Sequence, residues 1–167
     1  MVEALVKAPG HHVALVVNPN SPYVIGLQEK ADGLGVGDRV HIHPYVPEWY
    51  VSTFISDSTS GVIPILKYPN HEISLVTKFF EFLHAKLPII VSDVKTMAAE
   101  VRARKNGLVF TAGKGDELAA RFIEITENRN QYVVAITPEL LAEYSWERQG
   151  DKLVSAFDTL ASMKGNQ

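Results

Sequence analysis

The sequence predicts an α/β fold in which a mostly parallel sheet carries helices on both faces. Short apolar runs alternate with amphipathic stretches of helical length along the 167 residues. The runs contain many β-branched residues, which is typical of strands buried within a sheet. Loops rich in Pro, Gly, Asn or Ser separate these segments. Because crossovers between parallel strands are right-handed, the pattern favours a Rossmann-like arrangement, formed as a single domain of residues 1–167.

The predicted strands are short segments of apolar or β-branched residues bounded by turn-forming residues. The first, His12–Val17, contains an unbroken apolar run, so we expect a strand that is covered on both faces. The other predicted strands are Val40–Val46, Val62–Leu66, Pro88–Val91 and Leu108–Phe110.

Apolar residues at helical spacing predict helices between the strands. In Ser74–Lys86 the apolar side chains form one broad stripe, whereas Thr77, Lys78, Glu81 and His84 fall on the other side of the helix. The first residues, Val2–Ala8, resemble the last turns of a helix. The other predicted helices are Tyr23–Leu34, a segment from Pro47 through Phe54, Val94–Arg104, Asp116–Glu127, Pro138–Glu143 and a C-terminal helix at Trp146–Met163.

The composition argues against several functional classes. The net charge is −3, and the sequence contains no block of like charges. It therefore lacks the basic stripe that is typical of a nucleic-acid surface. The absence of cysteine excludes disulfides, thiol catalysis and cysteine-ligated zinc, and it fits a reducing compartment. The longest apolar stretches are too short to span a bilayer. His41 and His43 share a strand face but lack a third ligand, so we expect no metal site, and we expect no cofactor.

The candidate site lies where the parallel strands end, because ligands of such sheets bind there. Lys78 and Glu81 lie three residues apart near the start of a helix and project from neighbouring positions. A helix N-terminus attracts phosphate, and a carboxylate can accept hydrogen bonds from sugar hydroxyls. The pair therefore predicts a nucleotide-sugar site, and an exposed ion pair without a ligand is the alternative. The loops expected to converge here are Asn18–Pro22, Tyr45–Glu48, Lys67–Ile73 and Asp93–Thr96.

Six segments carry a resemblance to a known family. Ile63-Pro64 ends a strand, Thr77–Leu83 (TKFFEFL) contains the helical glutamate, and Lys86–Asp93 (KLPIIVSD) forms the next strand and a Ser-Asp pair. Val40–Pro47 (VHIHPYVP) and Asn106–Phe110 (NGLVF) follow the same order and spacing. With Tyr144–Glu147 (YSWE), they resemble the C-terminal half of a GT-B glycosyltransferase of the group-1 (family 4) type over nearly the whole chain.

The chain departs from the family pattern at three points. Glu72 and Glu81 are separated by eight residues where the family commonly has seven, and Ile73 occupies the expected acidic position. Ser74–Val76 replaces the usual glycines. The arginine and lysine that clamp the diphosphate in the family normally precede the helix with which this chain begins. We therefore expect the chain to be a piece of a longer enzyme.

The resemblance implies roles for individual residues. Glu81 would accept hydrogen bonds from the ribose hydroxyls, and Glu72 is the candidate contact of the donor sugar. Tyr45 and Val46 lie where the base-contacting loop of the family falls. The backbone N–H groups of Ser74–Val76, the hydroxyls of Ser74 and Thr77, and the ammonium of Lys78 would face the diphosphate.

The resemblance also implies a reaction, which is the transfer of a hexosyl group from a nucleoside diphosphate to a glycan or lipid-linked acceptor, with retention and without a metal. The missing N-terminal half would bind the acceptor, so we expect this fragment alone to be inactive. The full enzyme is expected to be cytoplasmic, with peripheral association at the inner face of the membrane. Half of a sugar-nucleotide epimerase and a non-enzymatic flavodoxin-like ligand-binding module remain as alternatives.

Overall fold

A computed structural model describes residues 1–164, apart from the side chains of Ser162 and Lys164. The chain forms two compact units, which meet between Ala135 and Ile136 in the sequence. In the first unit the elements are α1 (Val2–Lys7), β1 (Val13–Val16), α2 (Pro22–Gly33), β2 (Val40–His43), α3 (Val51–Ile55), β3 (Gly61–Ile63), α4 (Pro69–Glu72), α5 (Thr77–His84), β4 (Ile89–Ser92), α6 (Lys95–Arg104), β5 (Gly107–Phe110), α7 (Gly115–Glu127) and α8 (Arg129–Val133).

The second unit contains two helices, α9 (Pro138–Glu143) and α10 (Trp146–Lys164), within its described residues. Thr137 caps α9, because its hydroxyl accepts a hydrogen bond from the N–H of Leu140. The predicted C-terminal helix at residues 146–163 corresponds to α10. None of the helices within residues 1–164 has the length and apolar character needed to cross a membrane.

All strand pairs among the described residues are parallel, which confirms the predicted α/β class. β1 pairs with β2 in one sheet, and the second sheet has the order β3-β4-β5. Each of the predicted strands is present, and helices separate successive strands as predicted. The first three strands are shorter than predicted, β4 is shifted by one residue, and β5 begins one residue earlier. The hydrogen-bonded ladders therefore form two sheets rather than the single sheet that the alternation suggested.

The centre of the second sheet is fully buried. All four residues of β4 are buried, so this strand is covered on both faces, as its continuous apolar sequence requires. Gly107 allows β5 to approach β4 closely, because a Cβ on this residue would lie 1.9 Å from the carbonyl oxygen of Ile89. The core cluster extends through the apolar faces of α1 and α7, which pack against each other, and includes Leu5, Ile90 and Phe122.

The prediction that β1 is covered on both faces is wrong. Val13 is buried, but the next residue, Ala14, is exposed. The strand register places Ala14 opposite His41, which is also exposed. A small residue and a polar residue therefore share the outer face of this sheet, and that face remains open to solvent.

The helix predicted at Ser74–Lys86 begins three residues later, at Thr77, and ends at His84. Val76 has an extended backbone conformation and forms the N-cap position. The preceding loop instead contains the short helix α4, in which a proline occupies the first turn, a position that suits its fixed φ angle.

Lys105 adopts the left-handed αL conformation, with φ of 57°, and ends α6. A side chain strains this conformation, whereas glycine adopts it freely. We expect Lys105→Gly to raise the free energy of unfolding by about 0.5–1 kcal/mol, measured by urea denaturation. The matched control is Ala103→Gly within α6, which should lower the free energy of unfolding by about 1 kcal/mol. A decrease for Lys105→Gly would contradict the expected relief of strain.

Candidate functional site

The ends of β3, β4 and β5 are joined by side-chain hydrogen bonds. Ser92, the last residue of β4, is buried, and its Oγ donates to the carbonyl of Ile65 at 2.6 Å. Asp93 follows, and its Oδ2 accepts a hydrogen bond from Nζ of Lys67 at 2.7 Å. The other carboxylate oxygen, Oδ1, accepts from the backbone N–H of Ala112 at 2.9 Å. A single carboxylate thus connects the loops that follow three neighbouring strands.

These contacts lower the pKa of Asp93 below its ordinary value of 3.8. The hydrogen bond from Lys67 is the largest cause, and the backbone N–H of Ala112 is the next. Asp93 in turn raises the pKa of Lys67. The ion pair is therefore fully charged at neutral pH. The sequence placed Lys67 and Asp93 at the starts of two converging loops, but it did not predict that their side chains form an ion pair.

Glu72 forms a second link between neighbouring loops. It is half-buried at the end of α4, and its Oε2 accepts a hydrogen bond from the backbone N–H of Lys95 at 2.6 Å. Lys95 is the first residue of α6, so Glu72 supplies a carboxylate to this helix N-terminus. Thr96 donates its hydroxyl hydrogen to the carbonyl of Glu72 at 2.7 Å. The predicted loops Lys67–Ile73 and Asp93–Thr96 are therefore in direct contact.

The start of α5 has no side-chain cap among the described residues, and its first turn contains no acidic residue. Thr77 and Lys78 occupy this turn, and both are exposed. Their backbone N–H groups are at positions that have no partner within the helix. Glu81 lies one turn further along and is half-buried. Neither Lys78 nor Glu81 forms a hydrogen bond or an ion pair through its side chain within residues 1–164, so the ion pair that was the alternative to a ligand site is absent there.

Lysines occur where three helices begin at this end of the sheet. Lys78 lies in the first turn of α5, Lys95 begins α6, and Lys114 is the N-cap of α7. All three are exposed. A lysine at a helix N-terminus is unfavourable, because the positive end of the helix dipole repels it. Carboxylates lie beside two of these lysines, because Glu72 accepts from the N–H of Lys95 and the first turn of α7 contains Asp116 and Glu117. Among the described residues, the start of α5 has a lysine and no such carboxylate.

The other predicted site residues differ in their surroundings. Ser74 lies outside α5, and its hydroxyl donates to the carbonyl of Asn70 rather than facing the helix N-terminus. Tyr45 follows β2 and is 73% exposed, and Val46 is half-buried. Within residues 1–164, no hydrogen bond or ion pair connects the loops Asn18–Pro22 and Tyr45–Glu48 to those that follow β3 and β4.

Comparisons with known proteins provide independent information. A family model described as "Glycosyl transferases group 1" matches residues 2–128. A search of curated proteins gave no match. Among solved structures, the chain is similar to sucrose-phosphate synthase from Thermosynechococcus elongatus, with a TM-score of 0.79 and 18% sequence identity. The match covers 97% of this chain but only 42% of that structure, and at this identity it shows the fold alone.

Asp93→Asn tests the junction between the three loops. The amide can still accept from Ala112, but the charge that pairs with Lys67 is lost. Because the pKa of Asp93 is lower in the folded chain, its carboxylate stabilises the fold above pH 3.8, and this contribution disappears as the pH falls through the folded value. We expect the variant to lose about 1 kcal/mol at neutral pH and to converge with the parent chain in acid.

Urea denaturation at a series of pH values measures this difference. The control is Asp57→Asn, because Asp57 is exposed and forms no hydrogen bond or ion pair within the described part of the chain. A stability difference for Asp93→Asn that stays constant from neutral pH into strong acid would contradict the charge-based explanation.

Proposed function

This chain belongs to the group 1 glycosyl transferases, as its sequence resemblance predicted, and we propose that it forms the nucleotide-sugar-binding half of such an enzyme. The family match supports a transferase over the epimerase half and the flavodoxin-like module. The parallel α/β fold, similar to a GT-B enzyme over 97% of the chain, is consistent with this assignment. In the proposed reaction, a hexosyl group leaves a nucleoside diphosphate and joins an acceptor such as a glycan or a lipid-linked saccharide.

The observation that carries the proposal is the start of α5. This helix has an uncapped N-terminus, an exposed lysine in its first turn and, one turn later, a half-buried glutamate without a side-chain partner within residues 1–164. Free N–H groups and a cation attract a diphosphate. A carboxylate that lacks a partner accepts strong, charge-assisted hydrogen bonds from hydroxyl groups. A single helix therefore presents donors for a diphosphate and an acceptor for ribose hydroxyls.

The diphosphate is proposed to bind at the first turn of α5. The backbone N–H groups of Thr77 and Lys78, the Thr77 hydroxyl and the Lys78 ammonium are its ligands. Ser74 remains a candidate only if its hydroxyl exchanges the carbonyl of Asn70 for a phosphate oxygen. Negative charge grows on the leaving diphosphate as the glycosidic bond breaks. Fixed N–H dipoles and lysines stabilise this charge without rearrangement, and we propose that no metal ion is required.

The remaining parts of the donor are assigned to four side chains. Glu81 accepts hydrogen bonds from the ribose hydroxyls. Tyr45 and Val46 contact the base from the loop that follows β2. Glu72 is proposed to contact the donor sugar through Oε1, because its Oε2 already accepts the hydrogen bond from Lys95.

The acceptor is proposed to bind a second, N-terminal domain. The match covers only 42% of the sucrose-phosphate synthase structure, and the rest of that structure is long enough to contain a further domain. We further propose that transfer proceeds with retention and that the full enzyme is cytoplasmic, with peripheral association at the inner face of the membrane.

Nucleotide binding is tested by titrating UDP, GDP and ADP into the chain, followed by calorimetry or NMR. At least one is expected to bind, and Glu81→Gln should weaken its affinity by about tenfold, because the charged acceptor is lost. The same variant should bind pyrophosphate unchanged. Lys78→Ala should weaken the binding of both the nucleotide and pyrophosphate, because it removes a cation from the phosphate site. It should also reduce the salt dependence of binding.

The matched control for Glu81→Gln is Glu127→Gln, which removes an exposed carboxylate at the end of α7. This control should leave all affinities unchanged. The absence of binding by all three nucleotides at millimolar concentration would refute a self-sufficient site. Equal affinities of Glu81→Gln and the parent chain for the preferred nucleotide would remove Glu81 from the ribose contact.

Catalysis by the isolated chain provides a separate test. We expect binding of a nucleotide sugar without transfer to added saccharides, because the acceptor site is proposed to lie in another domain. Release of nucleoside diphosphate from the nucleotide sugar measures both hydrolysis and transfer. Sustained turnover that depends on the acceptor would contradict the assignment of this chain as half of an enzyme.

A further inference from the structure

Two exposed imidazoles face each other on the open side of the β1–β2 sheet. Nδ1 of His12 lies 2.9 Å from Nε2 of His41. The ring planes are within 9° of parallel, and the ring centroids are 5.1 Å apart. Rings stacked face to face keep their atoms about 3.5 Å apart. The shorter nitrogen–nitrogen distance means that the rings lie edge to edge, with one nitrogen of each directed at the other.

The sheet holds both histidines in place. His41 lies within β2, in register with Ala14 of β1, and His12 immediately precedes β1. Side chains alternate between the faces of a strand, so His12 and Ala14 share the outer face with His41. Ala14 is small and exposed, so it leaves space around the two rings. The backbone hydrogen bonds between β1 and β2, which begin at the pair Val13 and Val40, fix the separation of the Cα atoms of His12 and His41. A ligand therefore has to order only the two side chains.

We propose that His12 and His41 form a binding site for a divalent transition-metal ion, with Cu²⁺ bound more tightly than Zn²⁺ or Ni²⁺. Imidazole nitrogen is a preferred ligand of all three ions. At the tetrahedral geometry of Zn²⁺, with metal–nitrogen distances of about 2.0–2.1 Å, two such ligands are about 3.3 Å apart. At the square-planar or tetragonal geometry of Cu²⁺, two neighbouring nitrogen ligands are about 2.8 Å apart. The observed 2.9 Å is close to the spacing that suits Cu²⁺ and has to widen by only a few tenths of an ångström for Zn²⁺, which two exposed side chains accommodate by rotation.

Metal binding replaces the hydrogen bond between the two rings and requires one proton to move. A neutral imidazole carries one N–H, so one of the two facing nitrogens holds the proton of the present hydrogen bond. When the metal binds, that ring carries its proton on its other nitrogen, and both facing nitrogens donate electron pairs to the metal. Within the described residues no group of three or more His, Cys, Asp or Glu side chains could hold a metal ion, so water occupies the remaining coordination positions.

This site is independent of the proposed nucleotide site, because it uses the outer face of the first sheet and no residue of α5. It also differs from the histidine pair that the sequence drew attention to. His43 is two residues beyond His41 but packs its ring edge against Phe54, with centroids 5.5 Å apart. The partner of His41 comes instead from the neighbouring strand.

Calorimetric titration of the whole chain with Cu²⁺ alone, and separately with Zn²⁺ alone, tests the proposal. We expect one ion per chain at this site, with Cu²⁺ tighter, and a loss of affinity of about tenfold or more in either His12→Asn or His41→Asn. Because the ion binds the folded pair, Zn²⁺ should also raise the thermal midpoint of the parent chain. Neither variant should show this increase.

His84→Asn is the matched control, because it removes an exposed histidine from α5 and leaves the pair intact. It should retain the parent affinity. Circular dichroism of each variant establishes that it folds, and paramagnetic broadening by Cu²⁺ of NMR signals near residues 12 and 41 in the parent chain locates the ion without any substitution. The absence of binding at millimolar Cu²⁺, broadening centred elsewhere, or equal affinity in the double variant H12N/H41N would overturn the proposal.

Discussion

The carboxylate of Asp93 joins the ends of three neighbouring strands, and the candidate site depends on this junction. Asp93 follows β4, whose residues are all buried, so a fully buried strand determines its position. One of its oxygens accepts from Lys67, which follows β3, and the other accepts from the backbone of Ala112, which follows β5. The register of a buried sheet thereby fixes the separation of three surface loops, including the one that leads into α4 and α5.

The separation of these loops also determines where lysines lie at the starts of three helices. Helices α5, α6 and α7 all begin where strands end, and a lysine lies at or near the start of each. At α6 the carboxylate of Glu72 offsets part of this charge, and at α7 Asp116 and Glu117 in the first turn do so. At α5 no side chain among the described residues caps the helix. The two neighbouring helix starts therefore differ, since one already binds an intramolecular carboxylate and the other presents free donors.

Local patterns in the sequence predicted the order of the elements, because period and turn residues are properties of short segments. They also identified the amphipathic face of α5 and the position of Lys78 and Glu81. They failed for the start of α5, because the apolar residues Leu75 and Val76 continue the helical period although the backbone is extended at Val76. The period of a sequence does not by itself show where a helix begins.

Contacts between loops were not predictable in the same way. Lys67 and Asp93 are 26 residues apart, and His12 and His41 are 29 residues apart. Each pair meets because of strand register, which depends on the packing of the whole sheet. The open outer face of β1 was missed for a related reason, since an apolar run predicts burial of both faces only when another element covers the second one.

The uncapped start of α5 also bears on how this chain would respond to stabilisation by design. Common practice places Ser, Asp or Glu at the first turn of a helix and moves lysines toward its end. Applied to Thr77 and Lys78, this rule would stabilise the helix. The new side chains would accept hydrogen bonds from its free N–H groups and would replace the positive charge of Lys78 with a negative one. A variant chosen only for resistance to heat would then keep the architecture and lose the free N–H groups and the lysine that are proposed to bind the diphosphate.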